Sequence, residues 1–447
     1  MTQVDSRLAN RILLGLIIGA LAGIAMLVIG AYAPTALALA RWFSTAVLDP
    51  FGQVFLRLLF FVVIPLIFAS LALGIVQLGK LGELGPLAGR TFAMFALNMI
   101  VAVALGLLVM NVLDPGGRLD PATQVELAEL YGGAAQGYAE AQANSPPLNL
   151  TTLVQMFMPR NLFGAFVGNN RDALGEVLPL ILFAILVGAA GTQLAASRRA
   201  QLRDGLETVT ELMTRIVHYA LRLAPYAVPA MIFSVIVKIG FGILVALGVF
   251  VLGCVFVIAL HLFGVLAVWV KLGTRRSPLA FFRQITPVLV TAFTTSSSNA
   301  TLPTSLATAR ETLGVRASTA GFVLPLGATM NMSGTALYEG CVVLFVAQVF
   351  GVDLSLGQQV TLLFLAVLSA VAVAGIPGGS LPLIAGLLVT FGVPPEGIGI
   401  VLGVDRLLDM ARTTLNVGAD LVTCAIVDEK VPASAAAEAT APGSQAG

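Results

Sequence analysis

Charged side chains are scarce in this chain: Asp, Glu, Lys and Arg make up 11% of its 447 residues, against about 25% in soluble proteins. With a formal net charge of +1 and no dense basic cluster, there is no electrostatic footprint for nucleic acid. The three cysteines, Cys254, Cys341 and Cys424, each lie in an apolar run at no metal-ligand spacing. They imply neither a disulfide framework nor a metal site and read as packed thiols. The two histidines, His218 and His261, stand singly in apolar segments. The Ser and Asp residues therefore lack a paired base, which argues against an intramembrane enzyme.

What remains is apolar. Hydrophobic residues make up 58% of the chain and the mean hydropathy is +0.96, which reads as an all-α polytopic membrane protein. Runs long enough to cross a bilayer, about 20 residues each, occupy 12–33, 46–77, 88–113, 177–196, 206–240, 242–270, 316–350 and 395–428, giving eight transmembrane helices. The first follows MTQVDSRLANR with no clear small-residue cleavage site, so it reads as a retained span and not a signal peptide. Two further segments are interrupted by turn chemistry: 279–309 at TSSSNATLP and 357–391 at AGIPGGSLP. Each half is too short to span, which predicts two re-entrant helical hairpins. Irregular backbone at membrane depth is tolerated only inside protein or beside a watery cavity, so the hairpins read as walls of a binding site.

Basic residues set the orientation. Arg7, Arg11, Lys80, Arg90, Arg198, Arg199, Arg203, Lys271, Arg275 and Arg276 fall on one side, with only Arg41, Arg118 and Lys238 chiefly on the other. The positive-inside rule then places both termini in the cytoplasm of a multi-pass plasma-membrane protein, the first hairpin entering from the cytoplasm and the second from outside. The acidic segment 114–148 reads as an extracellular loop, and the tail 429–447 as disordered.

Against this background the stretch GVDRLLDMARTTLNVGADLVTCA, residues 403–425, stands apart. Asp405, Asp409, Arg412, Thr413, Asn416 and Asp420 fall within a helical stripe roughly 100° wide. A charge at the centre of a membrane helix costs about 2.5 to 3.5 kcal/mol on the insertion scale, so such a face must meet partners, water or cargo. TSSSNATLP adds serial hydroxyls and free backbone N–H groups at a helix break, where a carboxylate is well received; otherwise it is a Ser-rich turn. The glycines and prolines of AGIPGGSLP suit a movable gate or a plain hairpin tip. In GATMNMSGTALYEG, residues 327–340, Thr329, Asn331, Ser333 and Thr335 supply oxygens suited to a hard cation, unless the hydroxyls simply bond back to the helix. Glu339 is either a buried neutral carboxyl or a carrier that takes up and releases a proton.

Four motifs, SSSNATLP, NMSGTALYE, AGIPGG and DMARTTLNVGAD, together resemble the glutamate transporter family, the dicarboxylate/amino acid:cation symporters. The likeness runs from Arg11 to Asp428. It implies a homotrimer in the lipid bilayer whose substrate-binding part moves like an elevator against a scaffold. Residues 1–113 would hold scaffold spans 1 and 2 and transport span 3, residues 149–240 scaffold spans 4 and 5, and residues 241–428 the transport core.

Carried onto this chain, the resemblance implies that Asp409 holds a substrate ammonium and Arg412 a side-chain carboxylate. Thr413, Asn416, Ser297, Ser298, Thr335 and Gly378 complete the substrate site. Asp420, with carbonyls of Gly327, Asn331 and Asn416, matches one sodium site. Thr329, with carbonyls near Ala370 and Val373, matches a second. A third site depends on an Asp where this chain has Ser333, and on hydroxyls of the third span where it has Phe95, Asn98 and Met99. Fewer coupled sodium ions, two at most, or a proton in place of one are therefore expected, and Glu339 is the candidate for proton or potassium handling.

The expected function is symport of aspartate or glutamate, since the Arg412 fork takes a carboxylate while Asp409, one turn away, takes an amine. The alternatives are a C4-dicarboxylate:cation symporter, disfavoured because it leaves Asp409 without an ammonium, and an ion channel using the same polar helices.

Overall fold

The computed structural model describes residues 3–77, 85–120, 124–125, 158, 160–163, 177–373 and 380–430. The second hairpin tip at 374–379, with Gly378, most of the 114–148 loop and the tail from 431 onward lie outside the described residues. Every regular element among the described residues is helical. In chain order these are α1 (Gln3–Tyr32), α2 (Pro34–Phe43), α3 (Asp49–Phe60), α4 (Val63–Gln77), α5 (Gly85–Leu113), α6 (Val177–Thr192), α7 (Ala196–Leu221), α8 (Ala224–Ile239) and α9 (Gly242–Leu260). There follow α10 (Leu266–Gly273), α11 (Pro278–Thr295), α12 (Ser298–Ala307), α13 (Ala317–Met330), α14 (Ser333–Val349), α15 (Leu356–Ala372), α16 (Leu381–Thr390) and α17 (Ile398–Lys430).

Local chemistry explains most boundaries. Proline stands in the first turn of α2, α3, α8, α11 and α16, where its missing N–H costs nothing. Ser355 and Gln358 form a reciprocal capping box at the start of α15. Ser297 caps α12, accepting from Ala300 N at 3.2 Å. A π turn, His261–Val265, joins α9 to α10 in one apolar rod.

Four helical stretches among the described residues are long and apolar enough to cross a membrane: Leu14–Tyr32, Leu87–Leu113, Gly242–Gly273 and Ala317–Val349. Shorter apolar helices accompany them, among them Ala224–Lys238 and Leu356–Val371. This is a multi-pass helical membrane protein.

Three expected spans prove to be interrupted. The segment 46–77 breaks between Phe60 and Val63. The segment 206–240 breaks at 222–223, because 196–221 is a largely polar helix and only α8, opening on Ala224 and Pro225, is apolar. The segment 316–350 breaks at Asn331 and Met332, whose backbones (φ −104°, ψ 63° and φ −89°, ψ 53°) leave the helical region. The segment 279–309 breaks at its serines, with Ser296 in the left-handed region (φ 49°) and α11 packed against α12. Its first arm is longer than expected, running to 18 residues.

These breaks surround one helix. α17 is continuous over 33 residues and is touched by α5, α9, α11, α12, α13, α14 and α16. From Asp420 to Val427 every residue is buried, so α17 is the axis of the bundle. Gly334 sets its closest approach to α14, since a Cβ there would fall on the backbone carbonyl of Arg412. Gly334→Ala should therefore force the two helices apart and destabilise the protein by about 1 to 3 kcal/mol. Gly248→Ala, facing open space on α9, should not; thermal melting of the two variants in the same detergent checks this.

Candidate functional site

Arg412 lies at the centre of α17 and is only 2% exposed. Its Nε donates to Asp409 Oδ1 at 2.9 Å and an Nη donates to Asp405 Oδ1 at 3.2 Å. The guanidinium also sits 4.6 Å from the centre of the Tyr338 ring on α14, a cation–π contact in a dry setting. Arg406 approaches the other oxygen of Asp409 at 3.6 Å. The charged groups sit on one helix, their pairs at spacings of three and seven residues, where side chains face each other.

Asn416, one turn beyond Arg412, ties α17 to the α13–α14 break. Its Oδ1 accepts from Gly334 N at 2.6 Å and from Thr335 N at 3.4 Å, and its Nδ2 donates to Thr335 Oγ1 at 3.2 Å. A side chain from one helix thus satisfies orphan N–H groups at the start of another. Asp420, a further turn along, receives one hydrogen bond among the described residues, from Asn331 Nδ2 at 2.9 Å. A Cβ on Gly327 would meet this carboxylate. Gly327, Asn331 and Asp420 are therefore brought together, as expected.

Ser296, Ser298, Met332, Thr335, Val373, Ser380, Asp409, Arg412, Thr413 and Asn416 line a single pocket. Six of these, Ser298, Thr335, Asp409, Arg412, Thr413 and Asn416, are expected substrate contacts, drawn from three separate stretches of sequence. The pocket measures about 10 Å³, room for about one water molecule, so in this conformation the site is closed on itself. A larger cleft of about 730 Å³ between α10, α11 and the back of α17 is lined mainly by Phe263, Phe282, Leu289, Val290 and Phe293; it lacks the convergent charges of the smaller pocket.

Other expected residues are placed differently. Ser297 does not line the pocket; its hydroxyl caps α12. Thr329 donates to Leu326 O at 3.0 Å, the back-bond that is the ordinary use of a helical Thr. It lies on α13, which contacts the α15 that carries Ala370. Glu339 is completely buried on α14 and is not among the residues that line the pocket. Sequence reasoning missed the parts played by Asp405 and Tyr338 in holding Arg412. It also missed Ser296, Met332 and Ser380 in the pocket wall, and read His261 as a lone core residue although its Nε2 lies 2.8 Å from Asn98 Oδ1. The heptad spacing of Asp405 and Arg412 was a usable signal for the first of these.

A buried ionic face enclosed by broken membrane helices defines a membrane transporter. Residues 8–430 match the sodium:dicarboxylate symporter family, and the chain belongs to it; this is a transporter family and not an enzyme family. The chain is 31% identical to the proton/glutamate-aspartate symporter of Escherichia coli (strain K12) over 417 residues, 93% of this chain and 91% of that protein. It is 30% identical to the proton/sodium-glutamate symport protein of Bacillus subtilis (strain 168) over 430 residues, 96% and 94% of the two chains. It is 32% identical to a C4-dicarboxylate transport protein of Acidovorax sp. (strain JS42) over 384 residues, 86% and 82% of the two chains.

Asn416 supplies the only side-chain acceptor described for Gly334 N. Asn416→Ala should leave that buried N–H unpaired and destabilise the protein by about 1 to 3 kcal/mol. Asn416→Asp, which keeps the acceptor, should lose less, and thermal denaturation of the pair separates the two.

Proposed function

We propose that this chain moves an acidic amino acid, aspartate or glutamate, across the membrane together with sodium ions or protons. The observation that carries this reading is the buried Asp405–Arg412–Asp409 group, of which Arg412 and Asp409 line the pocket. As it stands, Arg412 is engaged by two carboxylates of its own helix. A substrate carboxylate that takes the guanidinium fork releases Asp409, and the substrate ammonium then takes Asp409. Arg412 and Asp409 then each have a partner of opposite charge both before and after binding. A C4-dicarboxylate would displace Asp409 from Arg412 without bringing an ammonium in exchange, leaving it the longer contact to Arg406 at 3.6 Å, and weakening a buried charge pair is costly. The dicarboxylate reading is kept as the second because relatives of that name match most of the chain.

The rest of the mechanism follows from the same parts. Asp420 with Gly327, Asn331 and Asn416 fits one sodium ion, since among the described residues its carboxylate has a single donor and hard cations take oxygen ligands. Thr329, with carbonyls near Ala370 and Val373, would form a second site once its hydroxyl turns from Leu326. Two sodium ions or fewer, or a proton in place of one, are the expected coupling ions. The closed pocket has to open, and Val373 and Ser380, on its wall, flank the second hairpin tip. That tip, with Gly378, is proposed as the outer gate of an elevator-type transport core, 241–428, working in a homotrimer with cytoplasmic termini.

Uptake of labelled aspartate into proteoliposomes, in competition with succinate, tests the substrate. Arg412→Ala should cost about 2 to 5 kcal/mol of aspartate affinity, roughly 30-fold or more, and unchanged affinity would sink the assignment. Asp409→Asn should weaken aspartate far more than succinate, whereas equal losses favour the dicarboxylate.

Proton coupling is tested separately. An outside-acid gradient should accelerate uptake if a proton enters with the substrate. Glu339→Gln should abolish that acceleration while leaving aspartate exchange intact, and a retained pH response removes Glu339 from the proton path.

A further inference from the structure

A second polar cluster lies at the Asp420 end of α17, away from the Arg412 pocket. Asn98 on α5, His261 on the π turn after α9, and Asn331 and Ser333 on either side of the α13–α14 break are all 0% exposed. Phe95 and Met99, flanking Asn98 on α5, are buried beside it and offer no oxygen.

The hydrogens in this cluster can be assigned from its distances alone. Asn331 Nδ2 donates to Asp420 Oδ1 at 2.9 Å, so Asn331 Oδ1 faces the other way and needs a donor. Asn98 Nδ2 supplies it at 3.2 Å and gives its other hydrogen to Ser333 Oγ at 3.0 Å. Asn98 Oδ1 is then the atom 2.8 Å from His261 Nε2, which makes Nε2 the protonated nitrogen. Every donor in the chain His261, Asn98, Asn331 points towards the Asp420 carboxylate, so the bonds polarise one another in its favour.

Two buried oxygens, Asn331 Oδ1 and Ser333 Oγ, thus converge on one point in a dry bundle. Such a point is filled either by a hard cation or by a hydrogen-bond donor. Here it is filled by the amide of Asn98, which carries partial positive charge, has no hydration shell to lose on the scale of an ion's, and cannot dissociate during the transport cycle. We propose that Asn98 sets the number of coupled cations: its amide satisfies Asn331 and Ser333 in place of a sodium ion and removes that ion from the coupling. The inference rests on the cation-symport reading above and names the residue that adjusts it.

The test measures aspartate affinity of the full chain in nanodiscs as sodium is varied at constant ionic strength and alkaline pH, so that a proton does not fill a new carboxylate. Two variants are compared with the parent: the near-isosteric Asn98→Asp, and Asn98→Thr combined with Ser333→Asp. Each exchanges a fixed donor for oxygens that require a cation. In both, the slope of log Kd against log sodium concentration should steepen by about one ion. Sodium without aspartate should also raise the melting temperature more than it does for the parent, a readout that survives a loss of transport. Parent-like slopes and parent-like sodium shifts in both variants, even with lowered melting temperatures, reduce Asn98 to a structural residue and overturn the inference. A parent that binds aspartate with no cation dependence overturns the symport reading itself.

Discussion

The structure depends on keeping a guanidinium dry. Arg412 is among the largest fully buried side chains in the protein, and an uncompensated charge of that kind would cost several kcal/mol in a membrane bundle. Compensation comes from its own helix, through Asp405 and Asp409, and from the Tyr338 ring across the α14 interface. Because the counter-charges are fixed to the same rigid rod, the ionic face is preassembled and needs no conformational search. The same arrangement underlies the proposed exchange of this ion pair for one with substrate. In that exchange a substrate carboxylate would take Arg412 and the substrate ammonium Asp409, so that neither residue is left without an opposite charge.

A rod of this kind is useful only if the elements around it offer polar backbone, which continuous helices do not. The breaks at Ser296–Ser297 and Asn331–Met332 meet this need, each ending one helix and starting another beside α17. Their freed N–H groups are not left bare. Ser297 caps α12 through its own hydroxyl, and α14 is capped from outside by Asn416. The second arrangement is the more consequential, since the start of α14 is held by a residue of the binding helix and must follow any movement of it.

The legibility of these features in the sequence followed the range of the forces involved. The ionic stripe was legible because helical periodicity and the cost of intramembrane charge are local. The first hairpin break was legible because a run of Ser, Asn and Thr closed by Pro303 has few other uses at membrane depth. The break at Asn331 was read as part of a continuous span, since neither broken residue is Gly or Pro and the break is stabilised by Asn416, 82 positions away from Gly334. Likewise the polar helix α7 was merged with α8, because an apolar average over 206–240 conceals a change of character at Ala224. The pairing of His261 with Asn98, 163 residues apart, is a tertiary fact that no local pattern announces. Six of the expected substrate positions line one pocket, whereas Ser297 caps α12 and Thr329 bonds back to its own helix.

Arg412 and Asp420 stand eight residues apart on α17, about 12 Å along the axis, with Asn416 midway between them. The cargo end and the Asp420 end therefore share one intermediary, the α13–α14 break. Asn331 reaches Asp420 from one side of that break, while Gly334 and Thr335 reach Asn416 from the other. A group that draws on the Asp420 carboxylate competes with Asn331, and any displacement of Asn331 moves the start of α14, which carries Thr335 into the pocket and Tyr338 under Arg412. Two sites joined by one short irregular segment of fixed hydrogen-bond partners have a physical route for mutual influence. The same segment is where Asn98 fastens α5 to the break, so the third span is linked to both sites through two hydrogen bonds from one amide nitrogen.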